Sequence, residues 1–211
     1  MAEYKTDAER DRERAIYYMG IAEAVRKRAN CWGSEVGAVL VRGDRVISTG
    51  YNGTPSGARN CREGGCLRCQ ERSRKKKDES YESPHDEVFA GKALDICLCV
   101  HAEQNALLSA ARHGIEVAGS SLYATHQPCF SCLKESLQAG VTQVIYLKEW
   151  FGAKDEELRQ QYLQLTEQLE PSRAFAGFDQ LDEATFRAFE AAVAPLVEDE
   201  GDGSPEMGSG A

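Results

Sequence analysis

His101-Ala102-Glu103 and, after a gap, Pro128-Cys129-Phe130-Ser131-Cys132 are the residues around which this chain is organised. One imidazole and two thiols are a ligand set for zinc that leaves the fourth tetrahedral position open to water. Glu103 stands two residues after His101. That is too near for a fourth ligand and well placed for moving protons. A Cys-x-x-Cys pair at a helix start brings two sulfurs within reach of one ion, and the helix N-terminus favours their thiolate form. A structural zinc would want a fourth Cys or His, and its closed site has no room for a substrate. Cys-x-x-Cys alone can equally be a redox pair or half of a zinc knuckle, and His-x-Glu alone carries little information. Their combination in this order, with Pro128 ahead of the first thiol, points to catalytic zinc on His101, Cys129 and Cys132, with Glu103 as its acid–base group.

The flanking residues place these groups on a fold. The Ala- and Leu-rich stretch from His101 to Arg112 reads as a helix stopped at His113-Gly114. Ser121 to Thr125 reads as a strand, 129–139 as the next helix closed by Gly140, and Val144 to Leu147 as another strand. Upstream, Val36 to Val41 is a nearly continuous apolar run, as in a strand covered on both faces. Arg42-Gly43-Asp44-Arg45 turns the chain and Val46 to Thr49 returns, which makes a hairpin. The Arg-Gly-Asp within it supplies what a turn needs and is not read as an adhesion motif. Residues 7–29 read as a helix capped by Thr6 or Asp7, with Ala15, Met19, Ala22, Val25 and Ala29 as its buried stripe. Asp155 to Leu169 is a further helix ended by Pro171, and Leu181 to Val193 a last one stopped by Pro195.

Strand, strand, helix, strand, helix, strand, helix implies a layered α/β fold with a mixed sheet. The two zinc-ligand segments are consecutive helix starts joined through one strand. Right-handed crossovers set such helices side by side on one sheet face, where their N-termini can converge on one ion.

Two stretches are less regular. Gly50-Tyr51-Asn52-Gly53-Thr54-Pro55-Ser56-Gly57 is rich in turn formers, but a loop leaving a strand end is where ligands are commonly held. The Asn52 amide offers a donor and an acceptor there. Residues 58–96 read as an insertion in which Cys61, Cys66 and Cys69 crowd together and Pro84-His85 follows. Within it, Arg72, Arg74, Lys75, Lys76 and Lys77 read as a solvated basic loop, with an anion or nucleic-acid contact as the minority reading.

The 211 residues suggest one domain with elaborations, spanning 1–197 with the insertion 58–96 and C-terminal helices over 155–195. Residues 198–211, acidic and rich in Gly, are expected to form a disordered tail. A net charge of −9 argues against a protein that coats nucleic acid through bulk charge. The charged residues 1–7 are followed by no apolar stretch fit for a signal peptide or membrane span, so a cytoplasmic protein with no membrane partner is expected. Eight cysteines then read as metal ligands or thiols before disulfides.

With these residues assembled, a resemblance emerges. His-x-Glu followed by Pro-Cys-x-x-Cys is the signature of the zinc nucleobase deaminases, and the chain resembles the cytidine deaminase superfamily. Within it, the Gly-Tyr-Asn-Gly-x-Pro-x-Gly loop at 50–57 favours the deoxycytidylate (dCMP) deaminases; Val36-Gly37-Ala38-Val39 and Val100 to Ala106 agree. The likeness covers roughly residues 15–150. It implies a three-layer cytidine-deaminase-like fold, a mixed five-stranded sheet with helices on both faces. It implies zinc on His101, Cys129 and Cys132, Glu103 as proton shuttle and Asn52 as a substrate contact. It further implies a homo-oligomer that responds to dCTP and dTTP. The insertion, the C-terminal helices and the tail depart from the family pattern.

The activity so implied is hydrolysis of dCMP to dUMP and ammonia, in pyrimidine deoxynucleotide metabolism. Glu103 takes a proton from water, delivers it to ring N3, and then helps protonate the departing ammonia. Ala102 leaves space beside the metal, with its backbone facing the base. A 5′-phosphate needs cations: Arg112, on the helix of Glu103, is the first candidate and Arg28, at the end of the first helix, the second. A second, structural zinc is weighed against free thiols in a mobile loop. Cys61, Cys66 and Cys69 have ligand-like spacing, and Cys31 or Cys97 could complete four thiolates. The alternatives are a deaminase of nucleosides or single-stranded nucleic acid, which has only the basic run 72–77 in its favour, and a non-catalytic zinc-stabilised module, which would have no need of Glu103.

Overall fold

Alternation along the central strands decides which residues meet which helix. Side chains of a strand point to opposite faces in turn. In β1 (Gly37–Arg42) and β3 (Ser121–His126), Ala38, Leu40, Leu122 and Ala124 join one buried cluster while Val39, Val41 and Tyr123 join another. Both faces are apolar because both are covered. A computed structural model describes residues 6–82, 96–149, 156–168 and 177–181, with isolated positions 184, 187, 188 and 191. The expected tail 198–211, Pro84-His85 and most of the expected helix 181–193 lie outside the described residues.

The sheet has five strands in the order β2-β1-β3-β4-β5. β2 (Arg45–Tyr51) and β3 pair antiparallel with β1, whereas β3, β4 (Gln143–Lys148) and β5 (Gly177–Gln180) run parallel. The mixed sheet is the one expected. Its fifth strand was not read in the residues 177–180, which are too short a run to stand out. The β1–β2 turn is the two-residue kind: Gly43 and Asp44 both take positive φ, at 55° and 59°. Asp44 is tied down there by the Tyr18 hydroxyl at 2.9 Å and by Arg14 at 3.2 Å.

Helix α1 (Asp7–Arg26) covers one face through Tyr18, Met19 and Ala22. Thr6 caps it, accepting from the Glu9 amide while the Glu9 carboxylate accepts from the Thr6 amide. The helix stops at Arg26, short of the expected residue 29, and Ala29 is buried beyond its end. Helices α3 (Ala102–Arg112) and α4 (Phe130–Gln138) cover the other face, with Ala102, Ala106, Leu133 and, from α5 (Glu156–Gln168), Tyr162 in its core. Each fully buried Leu or Met here contributes about 1.5–3 kcal/mol.

Two glycines let the layers close. A Cβ on Gly37 would fall 2.0 Å from the Ala22 carbonyl oxygen, and one on Gly50 would fall 2.1 Å from that of Ala102. The second contact seats the first turn of α3, with Glu103, on the end of β2.

The basic run is not a loop. Residues Leu67–Lys77 form helix α2, after a short 3-10 turn at Cys61–Glu63. Arg, Lys, Gln and Glu are good helix formers, but a run of cations shows no apolar stripe. The face α2 buries is Arg68, Cys69 and Glu71, a pattern that hydrophobic periodicity does not register. Among the described residues no helix is long and apolar enough to cross a membrane.

Candidate metal centre and active site

Three ligand atoms converge at the N-terminal ends of α3 and α4. His101 Nδ1 lies 3.3 Å from Cys129 Sγ and 3.4 Å from Cys132 Sγ, and the two sulfurs are 3.4 Å apart. Those spacings sit slightly inside the edges, about 3.6–3.8 Å, of a tetrahedron built from ordinary zinc–sulfur and zinc–nitrogen bonds. The donor set and its geometry therefore fit a zinc ion. His101 and Cys129 are the N-cap residues of their helices, in extended conformation, so both side chains are aimed past the first turn. Cys132 follows on the first turn of α4 and is fully buried.

The surroundings hold this triangle in place. The His101 amide donates to Gln104 Oε1 at 3.1 Å, and Gln104 Nε2 donates to Glu135 Oε1 at 3.1 Å, which links α3 to α4. Asn105 Nδ2 donates to the Tyr51 carbonyl at 2.7 Å. Gly53 and Val100 exchange backbone hydrogen bonds of 3.2 and 2.9 Å, so the 50–57 loop is stitched to the residue before His101.

Charge in the pocket is shared. The Cys129 thiol is pulled down to about 4, first by the hydrogen bond with Cys132 and then by His101. The same bond, with burial, pushes Cys132 up. His101 is raised to about 9, chiefly by Cys129 and against its own burial. A bound divalent cation displaces these protons. Glu103 is 4% exposed. Burial drives its carboxyl up to about 7, while His101, its own amide and the Cys132 thiol pull it back. A carboxyl group held near neutrality can both accept and return a proton.

The other expected site residues are placed as follows. Asn52 is buried, and its amide is engaged: Nδ2 donates to Ser34 O at 2.6 Å and Oδ1 accepts from the Val36 amide at 2.8 Å. It braces the 34–36 segment, and one donor and one lone pair are left over. Ala102 is fully buried with its carbonyl against Gly50. Arg112 is exposed in the last turn of α3, the end away from His101, and Arg28 is exposed beyond the end of α1. Arg112 is thereby set away from the metal centre along its own helix.

Three groups near the centre were not anticipated. Tyr162 of α5 donates its hydroxyl to the Pro128 carbonyl oxygen. His126, at the end of β3, is depressed to about 4 by burial and by the charges of Lys148, Arg26 and Lys76; Lys148 is its neighbour in the β3–β4 ladder, at the strand end that leads to Pro128. Cys99 joins Cys31, Cys61, Cys66, Cys69 and Cys97 in one buried cluster. The Cys97-Leu98-Cys99 spacing was the available signal for the last.

Residues 12–148 match the family model for the cytidine and deoxycytidylate deaminase zinc-binding region. The chain belongs to that family. A deoxycytidylate deaminase of Mycobacterium phage D29 is 39% identical over 133 residues, which are 63% of this chain and 93% of the phage protein. The deoxycytidylate deaminase of Schizosaccharomyces pombe is 46% identical over 130 residues, 62% of this chain and 35% of the yeast protein. The deaminase chain thus spans little more than a third of that relative, and 37% of the one from Saccharomyces cerevisiae. Among solved structures, the dCMP deaminase of cyanophage S-TIM5 in complex with dCMP and dUMP superposes with a TM-score of 0.52 at 27% identity, covering 84% of this chain and 100% of that one.

Proposed function

We propose that this deaminase-family chain hydrolyses dCMP to dUMP and ammonia. The observation that carries the reading is Glu103: a buried carboxyl beside three zinc-type donors, a set that would leave a fourth tetrahedral position to water. A closed structural site has no use for such a group. The phage relative, which this chain spans almost end to end, and the dCMP- and dUMP-bound phage structure support the substrate.

His101, Cys129 and Cys132 would hold zinc, which when bound supplies Lewis acidity that makes water a nucleophile near neutral pH. Glu103 accepts one proton from that water as its oxygen bonds to C4 of cytosine, and passes the proton to N3. As the C4–N bond breaks, Glu103 carries the second proton to the leaving amino group, which departs as ammonia. Burial keeps the carboxyl near neutrality for both transfers. Asn52, held by the 34–36 backbone, has one donor and one acceptor left to orient the nucleotide. The 5′-phosphate would need a cationic partner; Arg112 and Arg28 are the sequence-based candidates, and Lys148 beside His126 is a third.

We take residues 1–197 as one catalytic unit, since α5 contributes Tyr162 to its core and α2 shares a buried cysteine cluster with the segment that leads into His101. Eight cysteines without a disulfide suit a reducing compartment, and we assign the protein to the cytoplasm. Homo-oligomerisation and control by dCTP and dTTP follow from the resemblance.

The test is ammonia release from dCMP, deoxycytidine, cytidine and cytosine-containing single-stranded DNA, repeated with dCTP and dTTP. Turnover confined to dCMP supports the reading. Preference for deoxycytidine or DNA overturns it in favour of another deaminase, and turnover of none in favour of a non-catalytic module.

A further inference from the structure

Six cysteines outside the catalytic triangle gather where the 31–33 segment, the 3-10 turn, α2 and the 97–99 segment meet. Cys31, Cys61, Cys66, Cys69 and Cys99 are buried and Cys97 half-buried, and none forms a disulfide. Their sulfurs fall into two sets of four, Cys31, Cys61, Cys69, Cys99 and Cys66, Cys69, Cys97, Cys99. Within each set every sulfur lies within 4.8 Å of the others. The sets share one edge, Cys69 to Cys99, of 3.9 Å. The Cys31–Cys69, Cys69–Cys97 and Cys66–Cys97 edges are 3.5, 3.5 and 3.9 Å. A zinc ion bonded to four thiolates at about 2.3 Å spaces them at about 3.8 Å.

We infer that this cluster is a binuclear zinc–thiolate centre, two tetrahedra sharing the Cys69–Cys99 edge. A single four-cysteine zinc would leave two thiols of the same cluster idle and unexplained. Edge sharing uses all six, with Cys31 and Cys61 terminal on one ion, and Cys66 and Cys97 terminal on the other.

Charge around the cluster agrees. Loading releases the thiol protons to solvent, and six thiolates with two divalent ions leave two negative charges to be balanced. Arg68 is 5% exposed, and its Nε has no hydrogen-bond partner among the described residues. A buried guanidinium is costly without an anionic neighbour; the anionic centre supplies one, and the Arg68 charge acts on Cys97. The Gly33 and Trp32 amides donate to Cys31 Sγ at 3.3 Å and Cys61 Sγ at 3.4 Å, as they would to thiolates. The end of the basic run closes over the same segment: Lys76 donates to the Gly33 carbonyl at 3.1 Å, and Lys77 lies 5.5 Å from the Trp32 ring centroid. The end of the run thus lies against the segment that follows Cys31. Because Cys99 lies two residues before His101, the centre also anchors the chain entering the catalytic helix.

The inference is independent of the catalytic reading, and its test counts metal. Cys129→Ala removes the catalytic zinc from the tally, so mass spectrometry should find two zinc ions per chain in that variant and three in the wild type. Exchange of the variant with cadmium-113 should give two NMR signals split by mutual coupling, since only bridging sulfurs connect the ions. Cys61→Ser should lower the zinc content by one ion and Cys69→Ser should lose both. If Cys69→Ser does not fold, the stoichiometry and coupling still decide. One zinc in Cys129→Ala with two thiols open to alkylation, no zinc, iron with sulfide, or two uncoupled cadmium signals would each overturn the binuclear centre.

Discussion

The Tyr162 hydroxyl donates a 2.6 Å hydrogen bond to the carbonyl oxygen of Pro128, and both residues are buried. The bond ties α5 to the residue just before the ligand Cys129. The ring also packs on Phe130, with centroids 5.1 Å apart. Tyr162→Phe keeps the ring and leaves the Pro128 carbonyl short of a donor, which costs about 1–3 kcal/mol. For a chain of this size the melting temperature should fall by about 2–4 °C per kcal/mol. Because the bond acts on the metal loop, zinc should also leave faster to a chelator. Unchanged chelation kinetics would show that Tyr162 supports only the core.

Glu103→Gln keeps the shape of the side chain and removes its ability to cycle a proton. Turnover should drop by about 10²–10⁴-fold, with the zinc content of the wild type. Cys129→Ala and Cys132→Ala should lose activity together with the catalytic zinc. A Gln variant above a tenth of normal turnover would take Glu103 out of the chemistry.

The ratio of kcat/KM for dCMP over deoxycytidine should be large in the wild type. Two places could hold the phosphate. Arg112 ends α3, about 15 Å along the axis from its first turn, while Lys148 pairs with His126 at the C-terminal ends of two parallel strands, where ligands of open α/β sheets bind. Lys148→Ala should therefore lower the ratio more than Arg112→Ala, mainly through dCMP. The opposite order would move the phosphate to the far end of α3.

His126 links stability to acid. Its imidazole is held neutral when folded, with its pKa depressed to about 4, first by burial and then by Lys148, Arg26 and Lys76. Unfolded, it titrates near about 6.5. Between those values the unfolded chain binds the extra proton, so the stability present above about pH 6.5 is lost progressively as pH falls toward 4. The wild-type melting temperature should drop across that window more steeply than that of His126→Gln, measured at equal zinc content. Parallel curves would remove His126 as the cause.

The sequence by itself determined the chemistry and most of the scaffold. His101, Glu103, Cys129 and Cys132 are recognisable because ligand spacing and helix starts are local properties. So are the hairpin at Gly43-Asp44, whose turn is written in two residues, and the apolar runs of β1, β3 and β4. Tertiary structure decided what depends on partners distant in the chain. The four-residue strand β5 exists because an edge of β4 is there to pair with. Helix α2 hides a face of Arg68, Cys69 and Glu71 that no periodicity scale reads as buried. Spacing placed Cys61, Cys66 and Cys69 near one another and left Cys31, 38 residues before Cys69, and Cys97 as alternatives for a fourth thiolate; that both join, along with Cys99, 30 residues after Cys69, was decided by the fold. Which thiols share an ion is set by how three separate segments cross, and a sequence specifies that only through the whole fold.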